Sequence, residues 1–192
     1  MRAGRREILV AGACTLLLPV PVFAQRTRFA IDWQGGSETP DIAAAIAAQI
    51  ALIEALRIDL AIIAFFAGQR IAVDAVPGSM SRVAPDGVHF ERRAVSPDDP
   101  VLLHELLHRY HLLRLAGGYA NETVHTFYRA ARASGLYPPA AYMLVNPIEF
   151  FAMTASTVLY GRLARPPFSR AAVAAASPEL YRWIVEEFRL RP

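Results

Sequence analysis

Apolar positions in the first half of the chain come in long blocks. After a polar lead, "IDWQGGSETP", Pro40 or Asp41 can open a helix through "DIAAAIAAQIALIEALRI", and a second apolar run, "DLAIIAFFAG", follows at once. Glu54, Arg57 and Asp59 interrupt the two blocks, so they predict buried core helices and no membrane span. "RIAVDAV" (70–76) and "GVHFERRAV" (87–95) alternate as strands do, and the turn-rich "PGSMSRVAPDG" separates them. From Asp98 onward the pattern is helical. One helix starts at Ser96 to Asp99, with Pro100 in its first turn, and runs to Leu115, where Gly117-Gly118 stops it. Others span about Asn121 to Ala133 and Asn146-Pro147 to near Gly161. Ser177-Pro178-Glu179 opens a final amphipathic helix. With no internal repeat and no linker, residues 25–192 are expected to form a single α+β domain, mostly helical, with a small sheet before the "HELLH" helix.

Composition changes this picture little. Of 192 residues, 54% are apolar, enough for one domain with a real core. All 20 basic residues are arginine, a compositional bias and not a binding surface. The first 24 residues carry Arg2, Arg5 and Arg6 against Glu7. Without them the balance falls from 20 against 17 to 17 against 16, a net charge of +1 in place of +3. A nearly neutral body offers no electrostatic reason to expect nucleic acid or an anionic membrane as partner.

Those 24 residues have the marks of a signal peptide. A basic start precedes an apolar run from Ile8 to about Val20, and Val22-Phe23-Ala24 supplies the small residues of a cleavage site after Ala24. The run is too short to span a bilayer, and Pro19 and Pro21 break it. Export to the periplasm or beyond is therefore expected, with no stable membrane span afterwards. The sole cysteine, Cys14, lies inside the signal, so the mature protein would have no disulfide.

The chemistry is concentrated in "VLLHELLHRYH", residues 101–111. On a helix, His104 and His108 lie on one face a turn apart and can offer imidazole nitrogens to one zinc ion. Glu105 sits beside the open coordination position as general base, taking the proton when activated water attacks a carbonyl. Chance places such a pattern in fewer than about 1 in 100 chains of this composition. His111 is two turns from His104, roughly 10 Å along the axis, so it is a packing or supporting residue and no ligand. A catalytic zinc needs a third protein ligand, and spacing leaves several acids open. Glu122, just past the Gly117-Gly118 turn, would need a tight hairpin, though "NETVH" could present it with His125. Glu149 lies further on, inside "NPIEFFAMTAS", where it could equally cap its own helix, with Asn146 at N-cap, Pro147 at N1 and Glu149 at N3. Glu179, Glu186 and Glu187 complete the list. Tyr128 and Tyr137 have simpler readings as packing residues.

The stretch from about 86 to 161 resembles the catalytic core of the anthrax-lethal-factor-like zinc metallopeptidases, a branch of the zincins. The resemblance rests on "HELLHRYH", "NETVHTFYRAARASGLY" and "YMLVNPIEFFAMTASTVLYG". It implies that Glu149 is the third ligand, beside His104 and His108, and that Tyr142, seven residues before it, stabilises the oxyanion. A phenol suits that task. Zincins as a class also lay the substrate against an edge strand preceding the zinc helix, which would give "GVHFERR" a role and leaves His89 and Glu91 either facing the cleft or simply exposed at the surface. The function expected is an exported endopeptidase with one zinc per chain and a protein or peptide substrate. The alternative is a cell-envelope binding or structural module in which zinc only holds the fold together.

Overall fold

The two apolar blocks become α1 (Pro40–Glu54) and α2 (Leu60–Ala67). They part at Asp59, whose carboxylate accepts a hydrogen bond from the Ala61 amide at 2.8 Å and so caps α2. The computed structural model describes residues 29–35, 38–96 and 98–191, so the expected signal peptide lies outside the described residues. Among those described, no helix is long and apolar enough to cross a membrane.

Four short strands form one sheet in the order β1-β2-β4-β3. β1 (Ile31–Trp33) and β2 (Ile71–Val73) pair in parallel, Ile31 opposite Ile71, with α1 and α2 as the crossover. β4 (Gly87–Phe90) is parallel to β2, Ile71 opposite Val88, and antiparallel to β3 (Arg82–Ala84), Val83 opposite Val88. Pro85 and Asp86 connect β3 to β4. Gly87 follows them at φ 151°, where a Cβ would come within 2.4 Å of the Arg70 carbonyl oxygen. β1 and β3 lie in segments whose sequence reads as a polar lead and a turn, and "GVHFERRAV" is a strand only as far as Phe90. Strands of three residues carry little periodicity of their own: β1 is defined by β2, forty residues on, and β3 by pairing with β4 across the Pro85-Asp86 turn.

The second half is helical as expected: α3 (Val101–Arg114), α4 (Glu122–Ser134), α5 (Pro147–Tyr160), α6 (Arg170–Ala176) and α7 (Pro178–Phe188). One-turn 3-10 helices sit at Gly118–Ala120 and Tyr142–Leu144. The protein is α+β and mostly helical. α3 packs against α5, α1 and the β3–β4 hairpin. It ends where Gly117 and Gly118 take positive φ, and a Cβ on Gly118 would meet the Leu112 carbonyl at 2.9 Å. Its N-terminus starts behind Pro100, which has no side chain able to cap. Gln49, buried on α1, does that work from outside. Its Oε1 accepts from the Leu102 amide at 3.1 Å, and its Nε2 donates to the carbonyls of Asp99 (2.8 Å) and Ser96 (3.2 Å).

α5 is the central helix, buried at every position from Phe150 to Leu159. Its hydroxyls are accommodated by bonding back to their own helix: Thr154 to the Phe150 carbonyl and Thr157 to that of Met153, both at 2.7 Å. Phe150, Phe151 and Val158 join Leu102, Leu103, Leu106 and Leu107 of α3 in one core with Phe66, Phe90 and Phe188. These two helices, packed against each other, carry His104, Glu105, His108 and Glu149 of the site described next.

Candidate metal centre

His104 and His108 leave α3 on one face, one turn apart. Their Nε2 atoms are 3.0 Å apart, with the rings nearly perpendicular at 88°. Glu149 reaches them from the first turn of α5: its Oε2 is 3.1 Å from His104 Nε2 and 3.5 Å from His108 Nε2. The competition between cap and ligand for this carboxylate is resolved by Asn146. The Asn146 side chain accepts from the Glu149 backbone amide at 2.8 Å. That bond satisfies the helix end through the main chain, and the Glu149 side chain turns to the histidines. Burial alone would raise the Glu149 carboxyl, but hydrogen bonds from His104 and His108 outweigh it and hold the group well below its ordinary value.

Three ligating atoms around one point form a possible metal-binding group, the only one of its kind among the described residues. A tetrahedral zinc with bonds near 2.0–2.1 Å has ligand–ligand edges of about 3.3 Å. The observed edges of 3.0, 3.1 and 3.5 Å outline one face of such a tetrahedron. Two neutral nitrogens and one carboxylate oxygen are also zinc's donor chemistry. The residues present fit the ion.

Next to this triangle lies a cavity of about 260 Å³, lined by His104, Glu105 and Tyr142 together with Glu91, Arg93, Asp99 and Arg165. Glu105 is almost wholly buried, and burial raises its carboxyl above the ordinary value. Tyr142 stands on the second 3-10 turn, its ring 6.5 Å from that of His104. Burial first, and then the Glu149 carboxylate, raise its phenol, so it keeps its proton near neutral pH. The Arg165 guanidinium lies 5.9 Å from the Tyr142 ring centroid and forms a loose ion pair with Asp99 at 3.8 Å. Glu91 and Arg93 close on each other through two hydrogen bonds of 2.7 and 2.9 Å.

The rival acids lie elsewhere. Glu122 is exposed at the start of α4, within 3.9 Å of Arg129, and His125 bonds to the Tyr119 carbonyl. Glu187 accepts from the Tyr110 hydroxyl at 2.7 Å. Tyr128 is buried and donates to the Leu144 carbonyl. One expectation needs correction: β4 is no edge strand, because β3 covers it. His89 consequently turns into a charged cluster, 3.2 Å from Asp74 and 3.1 Å from Asp86, while Glu91 does reach the cavity. Sequence reasoning missed Arg93, Asp99 and Arg165, which carry no motif. It also missed Gln49, whose one signal is a lone amide in an Ala- and Ile-rich helix.

No protein-family model matches the chain, and no curated protein matches it. Among solved structures, the PRO-PRO endopeptidase from Paenibacillus alvei has a similar fold, with a TM-score of 0.58 and 17% sequence identity. The match covers 82% of this chain and 96% of that one. At this identity the likeness is one of fold.

Proposed function

We propose that this chain is a zinc-dependent peptidase of the zincin type, in which His104, His108 and Glu149 hold the ion and Glu105 is the general base. The observation that carries the reading is the convergence of His104, His108 and Glu149 at 3.0–3.5 Å beside a cavity walled by Glu105. A site whose only task was to hold the fold would have no use for a buried carboxylate at its open side. The likeness of fold to an endopeptidase supports the same reaction class, and the order of motifs along the chain supports a lethal-factor-like branch.

When bound, zinc supplies the Lewis acidity that makes water nucleophilic near neutral pH and polarises the scissile carbonyl. Glu105 takes the proton as the water oxygen bonds to the carbonyl carbon. It then passes that proton to the departing amine nitrogen as the C–N bond breaks. Its raised affinity for protons suits both halves of this exchange. The Tyr142 phenol, protonated and at the cavity wall, donates to the oxygen on which negative charge develops. An extended peptide can pair with the free edge of β3, because Met80 and Ser81, just before that strand, line the same cavity. Its substrate is then a protein or peptide segment in extended form. Export, with cleavage after Ala24, is part of the proposal and rests on the sequence of the first 24 residues. N-terminal sequencing of the protein recovered outside the cytoplasm tests it.

The decisive experiment compares zinc content and peptide hydrolysis in the parent, His108→Ala and Glu105→Gln. The parent should carry about one zinc per chain and cleave a peptide library that includes Pro-Pro sequences. His108→Ala should lose both. Glu105→Gln should keep zinc and lose activity by about 100-fold or more. Full activity in Glu105→Gln would falsify the mechanism, and zinc without cleavage of any peptide would favour a structural site.

A further inference from the structure

Among the described residues, three ring nitrogens are buried without a hydrogen-bond partner: His108 Nδ1, His111 Nδ1 and His111 Nε2. All three come from residues three apart on α3, which are neighbours on one face of a helix. This is an anomaly, because buried polar atoms are almost always paired, with protein or with ordered water. His108 makes it sharper. Its Nε2 belongs to the ligand triangle, so Nδ1 must carry the proton, and a metal-binding imidazole almost always donates that second N–H to an acceptor. No carboxylate or carbonyl supplies one here. His111 is fully buried, with its ring 4.8 Å from Phe151 and 5.2 Å from Tyr119. Burial pushes its pKa down to about 4, so at neutral pH the ring is uncharged and one of its nitrogens is an acceptor.

We propose that His111 is a positioning residue for His108, joined to it by one buried water that accepts from His108 Nδ1–H and donates to a ring nitrogen of His111. The inference rests on the zinc reading of the site and adds a residue to it. Two ring nitrogens provide the minimum of two polar partners that a buried water needs. The consequence is that His108 in the metal-loaded site is held as the Nδ1–H tautomer, with Nε2 as its ligating atom. The second nitrogen of His111 is left facing the aromatic rings, an arrangement a purely packing residue would better fill with phenylalanine.

The test is zinc affinity, measured by competition with a chromophoric chelator, for the parent, His111→Phe and His111→Gln, with circular dichroism as the check on folding. His111→Phe keeps an aromatic ring, larger than the imidazole by one ring atom, and removes both nitrogens. It should bind zinc about 10- to 100-fold more weakly, the usual effect of losing such a partner. His111→Gln retains a donor and an acceptor and should stay within about threefold of the parent. Nitrogen-detected NMR of the zinc-loaded parent gives an independent answer that no folding failure can remove. His108 should appear as the Nδ1–H tautomer, with its ring proton close to a long-lived water. Parent-like zinc affinity in folded His111→Phe, or a His108 Nδ1–H without a water contact, overturns the proposal. A parent that binds no zinc at all overturns the metal reading itself, so the two failures are distinguishable.

Discussion

At the scale of single residues, Asn146 and Glu149 divide two tasks, helix cap and metal-side carboxylate, that compete for Glu149 in the sequence. Asn146→Ala should cost about 1 kcal/mol by removing the cap. It should also weaken zinc binding, because the Glu149 side chain then has a bare helix end to satisfy. Asn146→Asp, which still caps, should retain both properties, as urea unfolding and chelator competition would show. His111 gives a pH prediction for the metal-free protein. Its pKa lies below the ordinary 6.5, at about 4, so the unfolded chain takes up a proton between those values and the folded chain does not. Its contribution to stability is complete above pH 6.5 and is lost as pH falls to about 4, by about 3 kcal/mol in all. Denaturant melts across that range should show the loss, and His111→Phe should flatten it. His104, Glu105 and His108 were legible in the sequence because helical spacing alone puts them together. Arg165 and Asp99 were not, because nothing local relates residues 66 positions apart.

Elements show the same division. α3 could be read from its apolar positions and its glycine stop; its beginning, expected at Ser96 to Asp99, falls instead at Val101, since Pro100 caps nothing and the capping group comes from α1. Gln49→Leu should cost about 1–3 kcal/mol, because it leaves the buried Leu102 amide without its partner. The loss should appear as a lower urea midpoint with an unchanged slope. In the sheet, Asp74 after β2 anchors the hairpin: it accepts from Arg82 at 2.5 Å and from Ser79 at 2.6 Å. The Arg82 hydrogen bond holds its pKa at about 2, below the ordinary 3.8, although burial opposes this. The sign is that of a depressed acid. Its contribution, about 2 kcal/mol, is complete above pH 4 and disappears as pH falls through 2. Asp74→Asn should lose that amount at neutral pH and show less acid sensitivity. β1 and β3 escaped sequence reading because each is three residues long and owes its existence to a partner strand.

At the scale of the whole molecule, the cluster of His104, His108 and Glu149 bridges α3 and α5, two helices packed in the core. Metal binding should therefore stabilise the entire fold. Zinc at 100 times its dissociation constant adds about 2.7 kcal/mol. A chelator should lower the melting temperature of the parent and leave Glu149→Gln, with one ligand removed, nearly unaffected. A parent whose melting temperature does not respond to chelator would separate the cluster from any role in holding the fold.

By itself the sequence determined the α+β class, the main helices and the placing of His104, His108 and Glu105, because these follow from local periodicity and from residues within one or two helical turns. Tertiary structure decided what depends on distant pairs. It selected Glu149 over Glu122 as the carboxylate beside the histidines, and made β3 rather than β4 the free edge. It also assigned the start of α3 to a glutamine 53 residues earlier. Chain periodicity reports which face a side chain takes on its own element. Only packing reports which other element that face meets.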